Sequence, residues 1–233
     1  MSDAFVISIT GLEFRWRAAG PPVLAIDRLA IARGERVFIR GASGSGKSTL
    51  LSLLGGVTTP QRGEVHVLGH PLHALGAAQR DRFRADHVGF VFQMFNLLPY
   101  LSVLENVMLP CRFSKQRRER ARLRSCGVER EARRLLAHLD MDDALLAAPA
   151  AELSIGQQQR VAAARALIGA PEIVIADEPT SALDADRRAA FLRLLEQECA
   201  EQGSTLLFVS HDPALEPLFD RTVALADINR ITA

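Results

Sequence analysis

The segment Gly41-Ala42-Ser43-Gly44-Ser45-Gly46-Lys47-Ser48-Thr49 follows the apolar run Val37-Phe38-Ile39 and precedes Leu50, Leu51, Leu53 and Leu54, a leucine face closed by Gly55-Gly56. A strand, a glycine loop and a helix in that order constrain the fold more than any other stretch of the chain. The glycines let successive backbone N–H groups turn inward around a polyphosphate, and a helix beginning near Lys47 aims its positive dipole end at the same anion. Lys47 is suited to reach the β- and γ-phosphates, and the Ser48 hydroxyl to ligate Mg²⁺. A flexible Gly/Ser linker would need neither the Lys-Ser pair nor apolar flanks. The pattern implies a nucleoside triphosphate site and leaves kinases, GTPases, helicases and transport ATPases open.

A second segment narrows the chemistry. Ile173-Val174-Ile175-Ala176 is a continuous apolar run of the kind buried on both faces of a parallel sheet, and it ends in Asp177-Glu178-Pro179. Ligands of such sheets bind at the C-terminal ends of strands. Asp177 is suited to the Mg²⁺ shell, and Glu178 to accepting a proton from the water that attacks the γ-phosphate. Pro179 stops the strand.

Upstream, Leu153-Ser154-Ile155-Gly156-Gln157-Gln158-Gln159-Arg160 runs into Val161, Ala164, Leu167 and Ile168 at helical spacing, ending before Gly169 and Pro171. This segment resembles the signature motif of the ATP-binding cassette (ABC) ATPases, usually Leu-Ser-Gly-Gly-Gln, and the resemblance covers nearly the whole chain. Gln93, after Val88-Gly89-Phe90-Val91-Phe92, resembles the Q-loop glutamine of catalysis and Mg²⁺ binding, and Ser181-Ala182-Leu183-Asp184 resembles the D-loop. His211, after Leu206-Leu207-Phe208-Val209-Ser210, resembles the switch histidine. Trp16 resembles the aromatic on which adenine stacks, although Leu12, Phe14 and Trp16 also alternate as one buried strand face would.

One position departs from the family pattern. Ile155 stands where the signature usually has its first glycine, and a β-branched residue resists positive φ there. Ser154 and Gly156, which the resemblance implies contact the γ-phosphate, are both present with Gln157. Activity is therefore expected to survive.

The resemblance implies an α/β fold: a phosphate-loop core with a mostly parallel sheet, an N-terminal antiparallel β subdomain and an inserted α-helical subdomain. Expected boundaries are residues 1–92 and 160–233 for the core and 93–159 for the helical part. Local patterns agree: Val6-Ile7-Ser8-Ile9, Leu29-Ala30-Ile31 and Val65-His66-Val67 are short turn-bounded strand signals, and Val128 to Leu139 is helical in period. A chain of 233 residues with 48% hydrophobic content can bury one large core or a core with a small lobe.

A net charge of +1 gives no global field toward nucleic acid or anionic lipid. The densest basic stretch, Lys115 to Arg124, is expected to be a solvated helix face, with contact to a partner or to headgroups as the other option. Cys111, Cys126 and Cys199 are scattered and odd in number, which fits a reducing compartment without disulfides. No stretch approaches the roughly 18 apolar residues of a spanning helix. Met1-Ser2-Asp3-Ala4-Phe5 lacks the basic and apolar regions of an export signal.

From the resemblance, the function is an ATP-hydrolysing subunit with Mg²⁺ as cofactor. Its partners would be a second copy of itself and an integral membrane permease, on the cytoplasmic face of the inner membrane. Gln93 to Val107 is similar to the lipoprotein-releasing, macrolide-efflux and cell-division subgroup, with Phe95, Leu98 and Tyr100 as candidate permease contacts or as fillers of the lobe's own core. A mechanotransmission or cell-division role without a transported substrate stays open. A soluble ABC ATPase acting on ribosomes or DNA stands behind it, because the chain has one cassette and no long insert.

Overall fold

The structure, a computed structural model, describes residues 5–180 and 185–231. The expected D-loop, Ser181 to Asp184, lies outside these residues. In chain order the strands are β1 (Phe5–Phe14), β2 (Leu24–Ala32), β3 (Arg36–Arg40), β4 (Arg62–Val67), β5 (His70–Pro71), β6 (Val88–Val91), β7 (Ile173–Asp177), β8 (Thr205–Val209) and β9 (Arg221–Ala224). The helices are α1 (Lys47–Leu54), α2 (Ala77–His87), α3 (Val103–Met108), α4 (Pro110–Phe113), α5 (Lys115–Ser125), α6 (Val128–His138), α7 (Ile155–Leu167), α8 (Ala185–Gln202) and α9 (Leu225–Ile228). They form two compact units, Met1–Arg84 with Thr205–Ala233, and Ala85–Ser204.

In the first unit the expected antiparallel sheet is present, in the order β2-β1-β4-β5. Residues Ile7, Ile9, Leu12 and Phe14 of β1 are buried and their partners on β2 include Ile31, Leu29, Ile26 and Leu24, so two apolar rows pair in register. Gly63 in β4 approaches the backbone of Gly11 so closely that a Cβ there would lie 2.3 Å from the Gly11 carbonyl oxygen, with φ at 82°. Only glycine fits without moving β1. Alongside, β3 pairs in parallel with β8 and β9, with Phe38 opposite Phe208 and Thr222. Phe38, Phe208 and Phe219 form an aromatic cluster with ring centroids 5.3 to 6.2 Å apart. All of β8 is buried, which accounts for its unbroken apolar sequence.

In the second unit β6 and β7 pair in parallel, Val91 opposite Ala176. Glycine at position 89 is required by packing: a Cβ would sit 2.3 Å from the carbonyl oxygen of Ala166 in α7. Between Gln93 and Ser154 the chain forms α3 to α6 with short 3-10 turns. Asn106, fully buried in α3, organises the segment before that helix. Its amide donates to the carbonyls of Leu98, Leu101 and Ser102 and accepts from the Leu98 N–H.

The basic stretch departs from a purely solvated face. Lys115, Gln116, Arg118, Glu119 and Arg122 are exposed, but Arg117 is 2% exposed. Its guanidinium donates to the carbonyls of Ile168 (2.8 Å), Ala166 (2.5 Å) and Val88 (3.4 Å). Arg117 and Ala121, four positions apart, form the buried side of α5, and Arg117 supplies donors to carbonyls at the C-terminal end of α7. Burial pushes its pKa down to about 10.

Arg120 also turns inward, bonding the Ala170 carbonyl and the Glu172 carboxylate, which accepts a further bond from His87. Burial alone would raise the Glu172 pKa, but the bonds from His87 and Arg120 outweigh it and hold the group at about 2. A carboxylate depressed on folding stabilises above its unfolded value and loses that contribution as pH falls toward its folded value. Glu172→Gln should therefore lower Tm at neutral pH, with the gap to the parent closing between pH 4.5 and pH 2. A pH series of thermal melts followed by circular dichroism checks this, and a gap constant across that range would contradict it.

Candidate active site

The phosphate loop lies between β3 and α1, as the sequence implied. Gly46 is the N-cap of α1 at φ 102°, and a Cβ there would press within 2.8 Å of Leu24, so both backbone and space demand glycine. Gly41 is held open by a different neighbour: a Cβ would lie 2.5 Å from Ser45 Oγ. Lys47, 9% exposed, donates from Nζ to the carbonyls of Gly41 at 2.7 Å and Ala42 at 2.9 Å. The buried Ser45 hydroxyl has no hydrogen-bond partner among the described residues. Native structures satisfy nearly all such groups, so an orphaned hydroxyl beside a buried ammonium at a helix N-terminus marks a place made for an anion. Ala42, Ser43, Gly44 and Ser48 are exposed at the same loop, whereas Thr49 is buried on the core side of α1.

Two further expected residues belong to the same unit. His211 follows the buried end of β8 and is exposed. Trp16 lies beyond the end of β1 and is 63% exposed, with its ring edge-on to Phe14 at 5.0 Å. The alternation of Leu12 and Phe14 as a buried face thus stops one residue pair short of Trp16.

In the second unit Asp177 closes β7 and Glu178 follows it, both half-buried after four fully buried residues. Glu178 is held at φ 45°. That left-handed conformation costs a non-glycine residue about 1–2 kcal/mol, and such strain concentrates at functional positions. Gln93 is exposed just past β6.

The signature segment begins α7. Ser154 is its N-cap and forms a capping box: its hydroxyl accepts from the Gln157 N–H, and the Gln157 side chain accepts from the Ser154 N–H. Ile155 is the first residue of the helix, lies outside the positive-φ set and is 55% exposed. The anticipated conflict between a β-branched residue and positive φ does not arise, because the first helical position takes ordinary right-handed angles. Gly156 and Gln157 are half-buried beside it.

Motif spacing did not single out the residues that tie these parts together. Gln159, 1% exposed, donates from Nε2 to the Pro179 carbonyl at 2.8 Å, joining α7 to the chain after Glu178. Arg165 bonds the carbonyls of Asn96 and Phe95, just after Gln93. Their partners are backbone atoms, which carry no sequence signature. Phe95, a candidate permease contact, is 7% exposed and packs inward, whereas Met94 at 81% and Tyr100 at 75% face solvent. Leu98 is half-buried. Phe95 and Asn96 both have positive φ.

The family model described as ABC transporter matches residues 25–181. The lipoprotein-releasing system ATP-binding protein LolD of Chromohalobacter salexigens is 38% identical over 226 residues, covering 96% of this chain and 92% of that protein. The macrolide export ATP-binding/permease protein MacB of Rhodopirellula baltica is 40% identical over 224 residues, 95% of this chain but 32% of that longer protein. Among solved structures, the dimeric post-hydrolysis state of the ATP-binding cassette MJ0796 bound to ADP and Pi superposes with a TM-score of 0.80 at 33% identity, covering 94% of this chain and 93% of that one. Similarity that runs through both units, and not through the phosphate loop alone, means that the chain belongs to the ABC transporter family and is an ATPase.

Proposed function

We propose that the chain is the nucleotide-hydrolysing subunit of a transporter, and that it drives a separate integral membrane permease by closing on ATP against a second copy of itself. The observation that carries this reading is the pairing of two half-sites of opposite kind within one chain. One is a loop with a buried lysine and an orphaned serine hydroxyl. The other is the exposed, serine-capped start of α7, whose first-turn N–H groups have no intrahelical acceptor. A triphosphate gripped by the loop of one copy leaves γ-phosphate oxygens for Ser154 and Gly156 of the other, and a two-fold axis makes two such sites. The dimeric state of MJ0796 supports this arrangement.

In the proposed mechanism Lys47 leaves the Gly41 and Ala42 carbonyls for the β- and γ-phosphates, and Trp16 stacks on adenine. Glu178 accepts a proton from the water that attacks the γ-phosphorus while the bond to the bridging oxygen breaks, giving ADP and phosphate. His211 contacts the γ-phosphate, and Asp184 matches the D-loop aspartate of the family motif. Ser48, Gln93 and Asp177 are all oxygen donors, the set a hard divalent cation prefers, and they would hold Mg²⁺. When bound, Mg²⁺ supplies charge neutralisation along the phosphates. Loss of the γ-phosphate removes the group that joins the two copies, so ATP and ADP favour different arrangements.

No helix among the described residues is long and apolar enough to cross a membrane; the proposed partner is a permease that holds this subunit at the cytoplasmic face. Its contact is the exposed surface after Gln93, where Met94 and Tyr100 place large apolar groups in solvent. The names of the LolD and MacB relatives support a transport assignment. A net charge of +1 gives nucleic acid no electrostatic hold.

Glu178→Gln should keep ATP binding and slow turnover by about 10² to 10⁴ fold, the loss typical of a missing general base. Steady-state phosphate release with a parallel nucleotide titration reads both quantities, and near-parental turnover removes Glu178 from the role. Ile155→Gly should change turnover by less than about threefold, since the position needs no positive φ. An inactive parent protein rescued by that glycine would overturn this view of Ile155.

A further inference from the structure

Arg165 lies in the body of α7, the helix whose start is the signature segment. One Nη atom donates to the Asn96 carbonyl at 2.7 Å and the other to the Phe95 carbonyl. Both residues it grips are held at positive φ, Phe95 at 58° and Asn96 at 50°. Asparagine tolerates the left-handed region, but a phenylalanine there is strained, and two such residues in succession need outside support. Their own N–H groups turn back on the Phe92 and Met94 carbonyls, at 2.9 and 2.6 Å, which leaves their carbonyl oxygens pointing toward α7. Phe95 is buried beneath the loop, and the guanidinium itself is largely desolvated, which lowers its pKa. A planar fork with two parallel donors matches two successive carbonyls in a way a lysine ammonium cannot.

Gln93 and Met94 lie immediately before this clamp. Met94 is the most exposed large apolar residue of the described chain, and Gln93 is the glutamine suited to the cation and the attacking water. Twelve positions or fewer separate the clamp from the signature along α7, a stiff helix of Ile155–Leu167. We propose that Arg165 is a positioning residue for hydrolysis: it fixes the loop carrying Gln93 to the signature helix, so that a displacement of Met94 by a partner and the approach of Ser154 to nucleotide are one movement. This rests on the ATPase mechanism above, and it assigns Arg165 no contact with nucleotide. It acts on the reaction through Gln93.

The test is a double-substitution cycle on the full chain with amide hydrogen exchange as a second readout. Arg165→Ala should accelerate exchange at the Phe95 and Asn96 amides. It should lower kcat about 10-fold, within the range that a small misplacement of a catalytic group produces, while KM for ATP moves less than about threefold. In a Gln93→Ala background the same substitution should change kcat by less than about twofold, because the group it positions is gone. Arg165→Lys, which keeps the charge and reaches one carbonyl, should fall between parent and alanine variant, and it serves as the folded comparison if alanine destabilises the chain. An equal loss of kcat in both backgrounds, or unchanged exchange at Phe95 and Asn96, would overturn the proposal. Exchange needs no nucleotide, so a failure of the hydrolysis mechanism itself appears separately, as absence of turnover in the parent with the clamp still detectable.

Discussion

A buried ammonium resting on two backbone carbonyls sets the terms for this molecule. Lys47 is nearly removed from solvent and donates to the Gly41 and Ala42 carbonyls. Beside it the Ser45 hydroxyl has no hydrogen-bond partner among the described residues. A polyphosphate at this helix N-terminus would give that hydroxyl an acceptor and the ammonium an anion. The sequence requirements of the loop follow from the same geometry: Gly46 because the turn into α1 needs positive φ, Gly41 because Ser45 fills the space a side chain would take.

The second organising element is α7. Its N-terminus is capped by Ser154 through a reciprocal bond with Gln157, and its middle reaches the segment after Glu178 through Gln159 and the segment after Gln93 through Arg165. The Ala166 carbonyl in its last turn and that of its C-cap Ile168 accept from the buried Arg117 of α5. Three charged or amide side chains thus bind backbone carbonyls on three different segments. A helix tied in this manner transmits displacement instead of absorbing it, since hydrogen bonds to charged donors cost about 1.5–3 kcal/mol each to break without replacement. Glu178, strained at positive φ, sits at the end of one of those ties.

Much of this was legible from residue order. The phosphate loop, the antiparallel strands, the buried run of β7 ending in Asp177 and the helix after Ser154 all have local signals: glycine at a phosphate turn, period-two alternation, an unbroken apolar run and a capping serine. The clamps were not legible, because Arg117, Arg165 and Asn106 bind main-chain atoms distant in sequence or displaced by an unusual turn. Phe95, which residue order left open between a permease contact and a filler of the lobe's own core, is buried. Phe95 and Asn96 are successive non-glycine residues at positive φ, and Arg165, about 70 positions later, donates to both their carbonyls.

In the proposed mechanism neither half-site works alone, so hydrolysis needs two copies of the chain around each nucleotide. Turnover per chain, measured across protein concentration alongside light scattering, tests this most directly. The account predicts turnover that climbs from near zero where the protein is monomeric to a plateau where ATP-bound dimers form. Constant turnover per chain down to fully monomeric solutions would contradict it.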